Sequence, residues 1–157
     1  MIHNMKLHKE PFELIKSESK TIELRLYDEK RRLIKPGDCI EFLNTSNNEI
    51  IAVMVKNLHI YASFTELYMD FDKISLGYLE NEEANPEDME LYYSKENIEK
   101  YGVVGIEIKP MNRYEYLEYQ YKMDRDRRLD NTARLLEDVA DENMEGKEKE
   151  EFLKCLK

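Results

Sequence analysis

Four side chains of complementary chemistry lie close together near the start of the chain, at Lys20, Thr21, Glu23 and Arg25. They offer an ammonium group, a hydroxyl, a carboxylate and a guanidinium. The cations suit phosphate or carbonyl oxygens, and the carboxylate can accept hydrogen bonds from an exocyclic amine or hold the guanidinium in place. These residue types predict a site that binds a nucleotide-like ligand, and Lys20 and Glu23 are the candidates for hydrolysing one.

The sequence around these residues predicts a β-strand from 21 to about 27. Thr21, Glu23 and Arg25 fall on one face of this strand, and the aliphatic residues at positions 22, 24 and 26 fall on the other. Successive side chains of a strand point to opposite sides of its sheet, so the aliphatic set would be buried and the polar set presented together. The alternative is an ordinary solvated strand face on which Glu23 and Arg25 pair weakly.

The remaining pattern indicates a mixed α+β fold, with short strands and helices in alternation. Further strands are predicted at 4–7, 39–43, 50–60 and 103–108. Helices are predicted at 11–15, 64–68, 86–93 and 95–100, with a helical turn at 29–34. Pro36 and Gly37 occupy the central positions of a predicted type II turn, where glycine supplies the positive φ that the turn requires.

The composition changes near residue 111, which predicts one compact domain over 1–111 and a helical C-terminal extension over 112–157. Helix is predicted at 134–139 and a charged amphipathic segment at 145–157. Tyrosines alternate with charged residues in the first part of the extension, at Tyr114, Tyr116, Tyr119 and Tyr121. They could stack on bases, but packing with the hydroxyls in water is the more usual role. A protein partner could also dock on the extension.

The charge distribution limits which nucleic acids the chain can bind. The net charge is −10, and the excess acid lies mainly after residue 60. Basic residues cluster around the polar motif, at Lys16, Lys20, Arg25, Lys30, Arg31, Arg32 and Lys35. Such a cluster can hold a few phosphates, whereas a long duplex footprint needs many more cations. We therefore expect an RNA or a nucleotide-like small molecule as the partner.

Other common functional signatures are missing from the sequence. It has no apolar run of membrane-spanning length, no signal-peptide pattern, no P-loop and no dinucleotide-binding glycine motif. Cys39 and Cys155 lie far apart, and the three histidines are dispersed. We expect a cytoplasmic protein that does not act at a membrane and holds no metal or cofactor.

Three segments carry a resemblance to a known family. Residues 20–25 and the turn and strand at 36–42 resemble the signature of the ASCH domain, in the PUA-like superfamily, and residues 101–108 are similar to its closing strand. The similarity spans about residues 5–109. It implies a small mixed PUA-like β-barrel with flanking helices and an open cleft. Glu18 departs from the family pattern, which usually has glycine at this helix-to-strand corner.

The resemblance also raises the question of enzymatic activity. Some ASCH proteins are amidohydrolases of N4-acetylated cytidine that use a lysine, a threonine and a glutamate. Their lysine corresponds to Lys20, Glu23 stands in place of the threonine, and Glu87 is the nearest candidate for the glutamate. Glu23 cannot form the same ester intermediate as a hydroxyl nucleophile, so this activity does not transfer cleanly. A ribonuclease activity is also associated with the family, and Lys20, Glu23 and Arg25 would suit it chemically.

The function that these observations favour is binding of a nucleotide or RNA element in a cleft lined by Lys20, Thr21, Glu23 and Arg25. Two alternatives stay open. One is a hydrolase acting on a modified nucleoside or RNA through Lys20 and Glu23, and the other is a protein-interaction module that uses the helical extension. The sequence does not decide whether the protein is an enzyme.

Overall fold

The computed structural model describes residues 1–143 and 145–155, in two compact units that comprise residues 1–112 and 113–157. The first unit contains a five-stranded sheet. Its strands are β1 (Ile2–Leu7), β2 (Ile22–Leu26), β3 (Cys39–Asn44), β4 (Ile50–Tyr61) and β5 (Val103–Pro110). Among the described residues, no helix is both long and apolar enough to cross a membrane.

The sheet has the strand order β1-β3-β4-β5-β2, so β1 and β2 form its two edges. β1 is parallel to β3, and the other neighbouring pairs are antiparallel. The sheet is curled into a half-barrel, and the guanidinium of Arg25 on one edge donates to the Lys6 carbonyl on the other. The mixed α+β fold predicted from the sequence is confirmed.

Helices and turns connect the strands of the first unit. They are α1 (Lys9–Lys16), α2 (Phe64–Asp70), α3 (Lys73–Leu76) and α4 (Lys95–Tyr101), with 3-10 turns at Arg31–Leu33 and Pro86–Leu91. The hydroxyl of Ser63 accepts a hydrogen bond from Glu66 N at the start of α2, as its sequence position predicts. α3 was not predicted, and Asp72 caps it through the backbone N–H of Ser75.

Two hydrophobic clusters cover the two faces of the sheet. Ile22, Leu24 and Leu26 belong to the cluster formed with α2 and α3, as the alternation predicts. The other cluster contains the buried residues of α1 and those of the inner sheet face, namely Met5, Leu7, Phe12, Ile15, Ile34, Ile40, Phe42, Val53, Val55, Val104, Ile106 and Ile108. Glu23 is paired with Ile106 across the β2–β5 ladder, and Arg25 with Val104. Directly paired residues share a face, so Glu23 and Arg25 lie on the side of the second cluster.

Glu18 forms the corner between α1 and β2 in a left-handed conformation, with φ +61°. The backbone N–H groups of Ser19 and Lys20 both donate to the Leu14 carbonyl and close the end of α1. The corner therefore keeps the geometry that suits glycine, although a glutamate occupies it.

The second unit contains α5 (Arg113–Asn143) and α6 (Gly146–Cys155). The sequence predicted helix only at 134–139 in the first of these stretches, whereas α5 has 31 residues. Tyr114 and Tyr121 on α5 are 83% and 70% exposed. The charged segment predicted at 145–157 is helical from Gly146 to Cys155, and residues 156 and 157 lie outside the described residues.

Candidate functional site

Lys20 lies immediately before β2 and is buried, with 5% of its surface exposed. Its ammonium group donates to the Ile22 carbonyl at 2.7 Å and to the Leu76 carbonyl at 2.8 Å. Gly77, with φ +103°, packs against the side chain so closely that a Cβ there would come within 2.9 Å of Lys20 Cδ. The Lys20 side chain therefore links the end of α3 to the start of β2. Position 77 requires glycine because the lysine side chain packs directly against its backbone.

Glu23 lies between two cations and is 4% exposed. Its Oε2 is 3.6 Å from the Lys20 ammonium, and its Oε1 accepts a hydrogen bond from Arg25 Nε at 2.8 Å. Burial lowers the pKa of Lys20, and the charge of Arg25 lowers it further, while Glu23 opposes both effects. The carboxylate thus balances two buried positive charges.

Arg25 connects this buried group to the opposite edge of the sheet. Its Nη2 donates to the carbonyl of Lys6 on β1 at 3.0 Å. It also interacts electrostatically with Tyr93, whose ring stacks on Phe64 with a centroid separation of 5.9 Å. Burial raises the pKa of Tyr93, and the Arg25 charge opposes that change. Sequence reasoning missed Tyr93, because only the fold brings the segment before α4 next to β2.

Thr21 and Glu87 occupy different positions from these three residues. The main chain of Thr21 joins α3 to β5, since its N–H donates to Ser75 O and its carbonyl accepts from Ile108 N. Glu87 is exposed in the Pro86–Leu91 turn, where its N–H donates to the Asn85 side chain. The contacts described for Lys20 do not include Glu87.

A cavity of about 660 Å³ lies along β1 and the Arg31–Leu33 turn. Of the four predicted site residues, Arg25 lines this cavity, while Lys20, Thr21 and Glu23 are not among its lining residues. The other basic residues of its lining are Lys6, Lys30 and Arg31, with His3, and Glu41 is the one carboxylate. Its apolar lining consists of Ile2, Met5, Leu33, Ile34, Leu43 and Ile50. The lining of the cavity therefore suits a ligand that carries both a negative charge and an apolar surface.

Local contacts fix the position of Arg31 in the lining of the cavity. Asp28 accepts hydrogen bonds from the backbone N–H of Arg31 at 3.0 Å and from its Nη1 at 2.9 Å. The Nε of Arg31 is buried and has no hydrogen-bond partner among the described residues. The guanidinium of Arg31 is thus held by one carboxylate while a further donor remains unused.

Asp38 anchors the N-terminal end of the first strand. Its carboxylate accepts hydrogen bonds from the amino group of Met1 at 2.6 Å and from Lys35 N at 3.0 Å, and it lies 2.9 Å from His3 Nε2. Burial acts to raise the pKa of Asp38, but these hydrogen bonds lower it below its ordinary value. The predicted turn at 36–38 therefore serves to hold β1.

The described residues support neither a metal site nor a reactive thiol. No cluster of three or more His, Cys, Asp or Glu side chains there is arranged to hold a metal ion. Burial raises the pKa of the Cys39 thiol to about 11, so it is protonated and unreactive at neutral pH.

Comparisons with known proteins agree with this fold. Residues 5–112 match the ASCH domain. The hypothetical protein PH0355 is 39% identical with a TM-score of 0.61, and the match covers 71% of this chain and all of that one. The solution structure of PF0455 from Pyrococcus furiosus is 41% identical with a TM-score of 0.54, and the match covers 71% of this chain and 99% of that one.

A mutant of ZmASCH from Zymomonas mobilis is more distant, at 15% identity and a TM-score of 0.44 over 74% of this chain and 79% of that one. No curated protein matches the chain. The matched segment contains Lys20, Glu23, Arg25 and most of the half-barrel, and it extends over well more than half of the sequence. The chain therefore belongs to the ASCH domain family.

Proposed function

We propose that this protein binds RNA or a nucleotide in the cavity between β1 and the Arg31–Leu33 turn. The observation that carries the proposal is the lining of the cavity, where Lys6, Arg25, Lys30 and Arg31 outnumber the one carboxylate, Glu41, in a chain of net charge −10. Glu23 and Asp28 pair with the two arginines from outside the lining, so the local excess of positive charge comes mainly from the two lysines. A local excess of cations on an acidic protein marks a place where an anion is attracted.

The position of Arg25 supports the same function. Glu23 holds its Nε and Lys6 O holds its Nη2, so the guanidinium is fixed before any ligand arrives. A fixed guanidinium loses little conformational entropy when it binds phosphate. Lys20 and Glu23 do not line the cavity and so would not touch the ligand. Glu23 positions Arg25, and Lys20 holds the end of α3.

The size of the cavity favours a single nucleotide or a short single-stranded segment. About 660 Å³ is within the range of small-molecule sites. A duplex would need phosphate contacts well beyond these four cations, and the acidic remainder of the chain would repel it.

A hydrolase is the second candidate, and the lowered pKa of Lys20 is the observation that favours it. A general base must reach the proton that it removes. The Lys20 ammonium instead donates to two backbone carbonyls under Gly77, and Glu23 is shared between two cations. Binding therefore fits this arrangement better than hydrolysis does.

Protein interaction through residues 112–157 is the third candidate. Exposed apolar side chains on α5 favour it, among them Leu135 at 65% and Val139 at 54% exposure. Charged residues at positions 134, 137 and 138 interrupt this surface. Nothing in the described residues indicates which partner would cover it, so nucleotide binding remains the preferred function.

The test measures binding of a fluorescein-labelled single-stranded RNA decamer to the full chain at several salt concentrations. We expect the Lys6→Ala and Lys30→Ala variants each to lose about threefold to tenfold in affinity and to show a shallower salt dependence. The control is Lys56→Ala, which removes an exposed lysine that does not line the cavity. Absence of binding by the parent, or equal losses in the control, would refute the proposal.

A further inference from the structure

The backbone of β1 presents hydrogen-bonding groups to the cavity. On this strand Met1 O accepts from Cys39 N, and Leu7 O accepts from Thr45 N, so the odd-numbered residues bond to β3. In a parallel pair the groups of alternate residues point to opposite edges of the strand. The N–H and C=O groups of Ile2, Asn4 and Lys6 therefore point away from β3.

The contact of Arg25 with Lys6 O confirms this direction, since Arg25 comes from the other edge of the sheet. Ile2, Asn4 and Lys6 also line the cavity, together with Arg25 and Arg31. Among the described residues, no backbone hydrogen bond reaches the outward groups of Ile2 or Asn4. The free edge of β1 and the basic residues Arg25 and Arg31 therefore line the same cavity.

We propose that the edge of β1 reads the Watson–Crick edge of an unpaired nucleobase, with the Asn4 N–H as donor and its C=O as acceptor, while the neighbouring cations hold the phosphate. This inference rests on the proposed function and adds how the ligand is recognised. Every base has a donor and an acceptor side by side on that edge, and in a duplex both are already used. The ligand class is therefore a nucleotide whose Watson–Crick edge is free.

The exposed apolar lining supports a base in this position. Leu33 is 63% exposed and Ile50 is 58% exposed, and both line the cavity. A base has two apolar faces and can cover such side chains while its edge forms hydrogen bonds. A phosphate alone would leave them in water.

An extended peptide added to β1 is the competing occupant, because free strand edges accept a further strand. Such pairing needs a row of free groups, and the Arg25 guanidinium already occupies Lys6 O. Only Ile2 and Asn4 remain, which is a short edge for strand addition but sufficient for one base. The excess of cations over carboxylates also favours a phosphate-bearing ligand.

The test compares Asn4→Pro with Asn4→Ala in the full chain, using labelled single-stranded oligoadenylate as the probe. Proline removes the backbone N–H and is tolerated on an edge strand, whereas alanine removes only the exposed side chain. We expect Asn4→Pro to bind about fivefold more weakly than Asn4→Ala, the loss typical of one hydrogen bond.

A second probe contains 1-deazaadenine, which lacks the ring acceptor of the Watson–Crick edge. We expect it to weaken binding to the parent about fivefold and to cause no additional loss in Asn4→Pro, because the same hydrogen bond is already absent. The measurement on the parent alone tests the inference should the proline variant fail to fold.

Equal affinity of the parent for both probes would overturn the inference and leave the proposed function intact. Equal binding of folded Asn4→Pro and the parent would do the same. Both proposals would be overturned if the parent bound neither RNA probe. They would also be overturned if the parent bound an acidic decapeptide but no RNA and the Asn4→Pro variant lost that binding.

Discussion

Glu23 and Arg25 are hydrogen-bonded to each other on one face of β2, with Glu23 Oε1 accepting from Arg25 Nε at 2.8 Å. The carboxylate is buried, while the guanidinium extends to the cavity and to β1. This pair joins the interior of the half-barrel to the candidate binding site. We therefore expect stability and the proposed ligand binding to be coupled through the same two side chains.

Replacing Glu23 by glutamine tests that coupling. The variant keeps the shape of the side chain but leaves Lys20 and Arg25 buried without their counter-charge, so we expect a loss of about 3 kcal/mol in the free energy of unfolding. Chemical denaturation measures it. The matched control is Glu49→Gln in the exposed ion pair with Lys16, which should change stability much less because solvent screens that pair. Equal effects at both sites would contradict the buried arrangement.

Lys20→Ala is expected to destabilise the domain, because it leaves two buried carbonyls without their donor and removes one neutralising charge from Glu23. The expected cost is about 2–4 kcal/mol in the free energy of unfolding. Lys16→Ala, four residues earlier on the exposed surface, is the control and should change stability much less. A variant as stable as the parent would show that the ammonium group is not held as described.

The corner at Glu18 allows a test of backbone strain. Its φ of +61° suits glycine or asparagine and disfavours β-branched residues. We expect Glu18→Gly to stay within about 0.5 kcal/mol of the parent, because relief of strain is offset by the more flexible unfolded chain. Glu18→Asn should stay within the same range, because asparagine tolerates the left-handed conformation. Glu18→Val should lose about 1–2 kcal/mol. Melting curves that rank valine with the other two would argue against a left-handed corner.

The hydrogen bonds of Asp38 predict a dependence of stability on acid. Its pKa is lowered in the folded state, so its contribution is present above its ordinary pKa and is lost as the pH falls below about 4. We expect Asp38→Asn to melt well below the parent at pH 7 and to approach it at pH 3. Thermal melts across this range measure the difference. A constant gap between the two proteins would mean that the charge of Asp38 does not stabilise the fold.

The burial of β2 illustrates what the sequence could and could not reveal. Alternation correctly placed Ile22, Leu24 and Leu26 in a core, because that signal is local. The burial of Glu23 depends on the curl of the whole sheet and on the contact of Arg25 with β1. No local pattern carries that information, and an alternating polar face normally indicates solvent.

Two helices were also missed or shortened for physical reasons. α3 has only four residues, too few for a helical period, yet its last carbonyl holds Lys20. α5 carries charge around most of its circumference, so it lacks the apolar stripe from which a helix is usually predicted. The cavity could not be predicted from the sequence either, because its lining combines residues of β1 with residues of a turn more than twenty positions later.

The strand order has a consequence for synthesis of the chain. β2 has only β5 as a neighbour in the sheet, and the residues between Leu26 and Val103 must be made before the two can pair. At a translation rate of about 5–20 residues per second, this leaves Ile22, Leu24 and Leu26 without their sheet partner for roughly 4–15 s. An apolar strand that stays unpaired for that time favours aggregation of the nascent chain.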